Sequence, residues 1–302
     1  MIRRTYSLLL TVVLLAAGLS AYAIDRQTLK TYAQSLKGKK KEALKEAVYE
    51  LTKSATVLTY GNGKNSTWWG FYVTDQDADG YVIDRYSNNK VPFGARGEVA
   101  SGMNIEHSFP KSWWGGSKNQ AYQDLYNLMP SDSKANSNKG NYGMGVVTTV
   151  SYDNGCIKVG KGASGTQLWE PSAEWKGDFA RGYMYMATTY QKLTFEGEGL
   201  KSLVNGTWPT LQEWAYTLYL KWMREDKVSQ TEVSRNNAVA EIQGNRNLYV
   251  DFPTLAEYVW GDSTEVAFDP DVALTTADGD QRYAEYTPSG GGGNEGGGNE
   301  GG

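Results

Sequence analysis

Apolar and polar positions alternate at helical spacing near the start of the chain. The second of two predicted helices, residues 39–54, places Leu44, Ala47, Val48 and Leu51 on one face and lysines on the opposite face. The first of the two covers residues 25–37. Both helices are therefore expected to pack one apolar face against a core.

The C-terminal half is also predicted to be helical. Residues 210–213 and 229–232 have the Ser/Thr-x-x-Glu pattern of a capping box, in which the first and last side chains bond the free N–H groups at a helix start. Gly244 suits a left-handed residue after the second of these helices. Residues 253–260 predict one more short helix.

Between these helical regions the pattern favours strands. Residues 67–87 are rich in aromatic and β-branched side chains around a turn at 78–80. Residues 145–152 and 156–159 flank Asp-Asn-Gly, a strong hairpin signal. The combination predicts an α+β fold, a mostly helical single domain with small antiparallel β elements.

The two ends of the chain differ from this domain. Residues 1–23 combine Arg3 and Arg4, an apolar run too short for a comfortable membrane span, and a small-x-small cleavage site, so they predict a secretory signal peptide. Residues 24–268 are predicted to form the folded domain, and residues 269–302 a flexible tail or linker rich in Gly, Asn and Glu. We therefore expect a secreted protein, extracellular or periplasmic, that is monomeric and not membrane-bound once mature.

Composition limits the function classes. Removal of the signal changes the formal net charge from −4 to −6, which argues against a protein that coats nucleic acid through bulk charge but leaves room for a local basic cleft. Cys156 is the only cysteine, so an intrachain disulfide is excluded and stability must come from the core. The 10 Trp and 21 Tyr residues supply ample apolar surface for that core.

The candidate chemistry centres on His107, the single histidine of the chain, which follows Glu106. A lone histidine is usually structural, and adjacent side chains on a strand point to opposite faces, so the pair would need a bend or a bulge to share a site. Asparagines crowd residues 127–141, either to cap a polar loop or because Asn136 and Glu106 offer oxygen ligands to Mg²⁺. An imidazole base beside such a cation indicates phosphodiester hydrolysis.

Two other motifs are misleading. Residues 75–80 match the first half of a calcium loop, but Tyr86 stands where the bidentate Glu belongs. Residues 160–165 spell a dinucleotide fingerprint with no helix pattern after it. We interpret both as turns or loops.

Several ordered motifs together resemble the endonuclease I family of secreted bacterial nucleases, which belongs to the ββα-metal (His-Me finger) group. They are Glu-His-Ser-Phe-Pro at 106–110, Asp-Leu-Tyr-Asn-Leu-Met-Pro-Ser-Asp at 124–132, Asn-Ser-Asn-Lys-Gly-Asn at 136–141, Lys-Gly-Asp-Phe-Ala-Arg at 176–181 and Gln-Gly-Asn-Arg-Asn at 243–247. The resemblance spans residues 44–261. It implies a ββα finger at about residues 102–141, embedded in helices.

The resemblance also implies roles for individual residues. His107 matches the general base, Glu106 and Asn136 match the metal ligands, and Asn127 matches a position that orients the site. Arg181 is the first candidate for the cation that stabilises the leaving group. Substrate contacts are expected from Lys139, Arg246, Asn245 and Trp113.

The sequence thus predicts a metal-dependent endonuclease of low sequence specificity. Its expected cofactor is Mg²⁺, with Mn²⁺ or Ca²⁺ as alternatives, and its expected substrate is DNA, with RNA as a further substrate. Two rival interpretations stay open. The aromatic residues and the Gly-rich tail favour a non-catalytic secreted module that binds carbohydrate or a surface, and the partial calcium loop favours a calcium-stabilised structural protein.

Overall fold

A computed structural model describes residues 24–286 of the chain. Its α-helices, in chain order, are α1 Arg26–Tyr32, α2 Lys41–Thr52, α3 Thr67–Thr74, α4 Gln120–Gln123, α5 Ser133–Lys139, α6 Lys176–Thr189, α7 Glu213–Glu225, α8 Gln230–Gln243, α9 Leu248–Asp251, α10 Leu255–Val259 and α11 Gln281–Tyr286. Its strands are β1 Met103–His107, β2 Leu128–Asp132, β3 Gly143–Met144, β4 Thr149–Asp153, β5 Ile157–Lys161 and β6 Gln167–Pro171. The fold mixes helix and sheet, as predicted.

The strands form two separate sheets. β1 and β2 pair antiparallel, with Glu106 opposite Met129 and His107 opposite Leu128. The second sheet has the order β3-β6-β5-β4, in which the β3–β6 pair is parallel and the other pairs are antiparallel. Helix α5 begins directly after β2 and packs against both β1 and β2.

The core is built around α6, which is buried on nearly every side. It packs against α2, α7 and α9. Its charged residues Asp178 and Arg181 are buried together with its apolar side chains, so the interior of this fold contains ion pairs as well. Within residues 24–286, no helix has the length and apolar character needed to cross a bilayer.

Several local predictions are confirmed. Helix α2 occupies the predicted amphipathic segment, and β4 and β5 form the predicted hairpin. The Ser229 hydroxyl accepts a hydrogen bond from the backbone N–H of Glu232 at 3.1 Å, so the predicted N-cap is formed there, while the Glu232 carboxylate pairs with Arg181. Gly244 ends α8 with φ of 77°, in the left-handed region.

Two local predictions are wrong. Residues 67–74 of the predicted strand segment form a helix, because the Ser66 hydroxyl caps its N-terminus and the helix packs against α8. The Thr210 hydroxyl does not cap α7; it accepts from the Lys45 ammonium at 3.0 Å, and α7 begins at Glu213. In both cases long-range packing overrides a local preference.

The boundary predicted at residue 268 also needs correction. The backbone N–H of Asp278 bonds the carbonyl of Ile24 at 2.9 Å, and that of Thr276 bonds the carbonyl of Asp251 at 2.9 Å. Ala277 is buried. Residues 269–286 are therefore attached to the domain, whereas the predicted signal peptide and the rest of the predicted tail lie outside the described residues.

Candidate active site

A cavity of about 500 Å³ lies along β1 and brings several predicted site residues together. Glu106, His107 and Asn136 all line it. Its other walls come from Tyr60, Gly61, Trp68, Val99, Met103, Asn104, Ile105, Pro110, Lys111, Gly140 and Asn141. A cavity with a few convergent polar groups is the usual form of a small binding or catalytic site.

The strand geometry explains how adjacent side chains share this cavity. The β1–β2 register is regular through Glu106 and His107, so no bulge brings the two side chains together. Every residue of β1 lines the cavity, and among the described residues β1 pairs only with β2. Because the cavity runs along the other edge of β1, side chains from both faces of the strand can border it.

His107 is held as a neutral imidazole of defined tautomer. Its Nε2 lies 2.9 Å from the backbone carbonyl of Tyr122. Since a carbonyl can only accept, Nε2 carries the proton and Nδ1 carries the free lone pair. Burial lowers the pKa of His107 from 6.5 to about 3, so the ring stays neutral over the ordinary pH range.

Two tyrosines fix the orientation of this ring. Tyr60 stacks on His107 with ring centroids 5.5 Å apart and an interplanar angle of 19°. Tyr122 contacts it at a tilted 4.6 Å. The two tyrosine rings also contact each other, with centroids 4.8 Å apart, so the three rings form one cluster. Contacts with this cluster and with one carbonyl give the free nitrogen a defined direction.

Glu106 is a buried carboxylate paired with a buried ammonium. The Lys139 Nζ lies 2.7 Å from Glu106 Oε1, and it sits over the Trp169 ring at 5.1 Å. Burial raises the pKa of Glu106, and the charge of Lys139 acts in the opposite direction. The sequence predicted that Lys139 contacts substrate phosphate. In the structure its side chain is fully buried and pairs with Glu106 instead.

Helix α5 supplies Asn136 from the opposite side of the cavity. Asp132 caps this helix by accepting hydrogen bonds from the backbone N–H groups of Lys134 and Ala135, at 2.9 and 2.8 Å. Asn136 follows one turn later and is half-buried at the cavity wall. β1 and α5 thus bring a carboxylate and an amide to one space.

Asn127 fastens the backbone that follows His107. Its Oδ1 accepts from the N–H of Phe109 at 2.7 Å, and its Nδ2 donates to the carbonyl of Phe109 at 3.0 Å. The Asn127 carbonyl also accepts from the N–H of Ser108 at 3.0 Å. These three bonds join the end of β1 to the start of β2, which is the geometry that an orienting residue requires.

The structure does not bring Arg181 to the cavity. Its guanidinium is fully buried and faces Glu232, with Nε 2.7 Å from Oε1 and Nη2 2.6 Å from Oε2. Asp178 lies 3.3 Å from the same group. An arginine enclosed by carboxylates cannot reach a substrate without leaving those charges unpaired, so its place in the fold is that of an internal ion pair.

The remaining predicted substrate contacts also lie inside the fold. Arg246 pairs with Asp251 through Nε and Nη2, at 2.8 and 2.7 Å. Asn245 is buried and donates to the Thr52 carbonyl at 2.9 Å. Trp113 is fully buried; its Nε1 donates to the carbonyl of Asn141 at 3.0 Å, so it supports the cavity wall from behind.

Lys111 is a cavity residue that the sequence reasoning missed. Its side chain is exposed, and its Nζ lies 3.5 Å from the Tyr122 hydroxyl and 5.1 Å from that ring. Its position directly after Glu-His-Ser-Phe-Pro was the available signal. Tyr60 carried no such signal, since only the folded chain brings it to His107.

A metal could be held here by few protein ligands. Within residues 24–286, no group of three or more His, Cys, Asp or Glu side chains could hold a metal ion. The cavity offers instead the carboxylate of Glu106 and the amides of three asparagines, Asn104, Asn136 and Asn141, of which Asn136 is the predicted ligand. This donor set fits Mg²⁺, which typically takes one or two carboxylates, retains waters and accepts substrate phosphate oxygens.

Comparisons with known proteins agree with the motifs of this site. A family model described as Endonuclease I matches residues 39–254. A protein of Bacillus amyloliquefaciens named extracellular ribonuclease is 30% identical over 255 residues, which cover 80% of this chain and 82% of that protein. A protein of the same name from Bacillus subtilis (strain 168) is 30% identical over 257 residues, with the same shares covered.

Proposed function

Because the chain belongs to the endonuclease I family, we propose that it is a secreted, metal-dependent endonuclease. It hydrolyses phosphodiester bonds of DNA and RNA with little sequence specificity. The resemblance in the sequence favoured DNA, and the names of the two Bacillus relatives add RNA. Their description as extracellular, together with the leader-like residues 1–23, supports export.

One observation carries this proposal. A neutral imidazole with a free Nδ1, a carboxylate and an amide oxygen face the same cavity, which is open to a substrate. A purely structural histidine has no use for a free basic nitrogen directed by two aromatic rings. The arrangement is suited to a base that acts beside a hard cation.

The proposed chemistry starts at His107. Its Nδ1 takes a proton from water as the water oxygen attacks phosphorus, and the bond from phosphorus to the 3′ oxygen breaks. The departing 3′ oxygen takes a proton from a solvent water, and His107 later returns its own proton to solvent. The backbone carbonyl of Tyr122 accepts from Nε2 throughout and stabilises the imidazolium that forms. The products carry a 5′ phosphate and a 3′ hydroxyl.

Glu106 and Asn136 would hold Mg²⁺, with Mn²⁺ or Ca²⁺ as substitutes. When bound, such an ion supplies charge stabilisation for the phosphate and for the departing oxygen. We accordingly assign β1, β2 and α5 to the ββα-metal (His-Me finger) core. Lys139 keeps the Glu106 carboxylate in place, and Asn127 keeps the end of β1 in place.

Lys111 takes the role first assigned to Arg181. Its ammonium is at the cavity and next to Tyr122, on the same side as His107. Among residues 24–286, no carboxylate lies within 4.0 Å of it to cancel its charge. A cation in that position can contact the phosphate that is being cleaved.

Nicking of supercoiled plasmid and cleavage of a long RNA test the proposal. We expect cleavage with Mg²⁺, none with EDTA, and a loss of about 100- to 10,000-fold in His107→Ala. Asn136→Ala should lose cleavage, while Asn138→Ala, on the same helix but outside the cavity, should retain it. Absent cleavage, or cleavage that survives EDTA, would favour a non-catalytic binding module or a different mechanism.

A further inference from the structure

Two loops border the cavity on the side away from α5. One contains Gly61 and the other contains Val99, and both residues line the cavity. The N–H of Gly63 donates to the carbonyl of Gly97 at 2.8 Å, which joins the loops. Gly97 has φ of 94°, and a Cβ there would lie 2.8 Å from the Gly63 oxygen, so this close approach requires glycine.

The second loop carries Arg96, which stacks on Trp69 of α3. The Arg96 guanidinium carbon lies 4.3 Å from the centroid of the Trp69 ring, and its Nε donates to the Trp69 carbonyl at 3.3 Å. Trp68 points into the core, whereas Trp69 is half-buried and Arg96 is exposed. The ring and the carbonyl together hold the guanidinium in one orientation.

The charge of Arg96 is not cancelled locally. Over the described range, residues 24–286, no carboxylate oxygen lies within 4.0 Å of it. The nearest acidic neighbour in sequence, Glu98, is turned back to accept from the N–H of Ala95 at 3.0 Å. Arg96 is thus an exposed cation without a carboxylate partner, three residues before Val99, which lines the cavity.

We propose that Arg96 is a phosphate-binding residue for the strand that flanks the cleaved bond, and that Trp69 is its positioning residue. The inference rests on the proposed function, because it takes the ligand to be a nucleic-acid backbone. Its chemistry is that of a planar guanidinium, which can donate two parallel hydrogen bonds to one phosphate. In a protein with a net charge of −4, a preorientated cation next to the site matters more than bulk charge.

Binding of a fluorescent single-stranded oligonucleotide in EDTA tests this subsite without cleavage. Arg96→Ala should raise Kd roughly tenfold, the lower end for a hydrogen bond to a charged group. It should also make the slope of log K against log salt concentration shallower by about 1, which corresponds to the loss of one phosphate contact. Arg96→Lys should keep the slope but bind more weakly than wild type, since lysine lacks the paired donors.

Trp69→Leu tests the positioning role, because it keeps Arg96 and removes the ring that orients it. Kd should rise roughly two- to fivefold, in line with an exposed cation–π contact, with the salt slope unchanged. Lys221→Ala is the matched control, since it removes an exposed cation of α7 away from the cavity. In Mg²⁺, saturating kcat should equal the wild-type value in all three variants at the subsite, and only KM should change.

The subsite is overturned if Arg96→Ala matches Lys221→Ala in both Kd and salt slope while wild type cleaves. It is also overturned if Arg96→Ala lowers kcat and leaves KM unchanged. Failure of the proposed function gives a different result, in which wild type neither binds the oligonucleotide nor cleaves with Mg²⁺. That result would remove the subsite along with the function.

Discussion

The metal-free protein should lose stability when the pH is lowered, because His107 is buried as a neutral ring. In the folded state the pKa of His107 is about 3, and its ordinary value is 6.5. Between these values the unfolded chain holds a proton on this ring that the folded chain does not hold. The contribution of His107 to the free energy of unfolding is therefore fully present above pH 6.5 and is lost as the pH falls toward 3.

The size of this effect follows from the separation of the two pKa values. Each pH unit inside the window costs about 1.4 kcal/mol. From pH 7 to pH 5 the loss attributable to His107 is thus about 2 kcal/mol. His107 is 5% exposed and its ring is covered by Tyr60 and Tyr122, so solvent screening does little to reduce this value.

Urea unfolding followed by tryptophan fluorescence, in EDTA at pH 7 and pH 5, measures this loss. His107→Gln removes the titrating group but keeps an amide that can donate to the Tyr122 carbonyl. Because the chain has one histidine, the difference between the two pH dependences isolates this ring from the carboxylates. A wild-type loss no larger than that of His107→Gln would mean that the imidazole protonates freely in the folded state, and our account of the site would be wrong.

Three further substitutions separate structural from chemical roles. Asn127→Ala should lower the free energy of unfolding in urea by about 1–3 kcal/mol, because it leaves backbone groups unpaired. It should also lower kcat more than it raises KM. An unchanged kcat would contradict the orienting role. Arg181→Met should lower the free energy of unfolding by about 3–5 kcal/mol, since Glu232 is left as a buried charge without its partner. The folded fraction should keep its kcat. A large loss of kcat in fully folded protein would instead indicate a catalytic role for Arg181. Glu106→Gln should abolish Mn²⁺ binding in calorimetry, because it removes the one carboxylate among the residues that line the cavity; unchanged binding would argue against Glu106 as a ligand.

The candidate active site was predictable because its parts lie close together in the chain. Glu106 and His107 are adjacent, Asn127 bonds the backbone two residues after His107, and Asn136 belongs to the helix that follows β2. The Asp-Asn-Gly hairpin was predictable for the same reason, since a two-strand turn is specified by its own residues. Local spacing is thus sufficient where the contacts are local.

The arginines were not predictable, because a motif position does not reveal which side chains will surround it in the fold. Arg181 faces Glu232 on α8, far along the chain, whereas Arg246 pairs with the nearby Asp251 and also donates to Asn237 of α8. A motif position marks a residue as needed, but it does not say whether the fold or the chemistry needs it. The ring partner Tyr60 illustrates the same limit, since its contact with His107 exists only in the tertiary structure.

The cations of this protein fall into a buried set and an exposed set, and this difference affects substrate binding. The buried arginines are neutralised by carboxylates inside the fold, and the net charge of the whole chain is negative. Attraction of a polyanion then depends on a few exposed cations at or near the cavity, which we assign to Lys111 and Arg96.

Because the salt dependence of affinity scales with the number of neutralised phosphates, a small set of contacts gives modest affinity and a shallow salt slope. Such an enzyme holds only the nucleotides around the cleaved bond, and contacts to phosphate carry no direct sequence information. If the proposed assignment of these cations holds, we therefore expect low sequence specificity from the same arrangement of charge that lets an acidic protein bind nucleic acid.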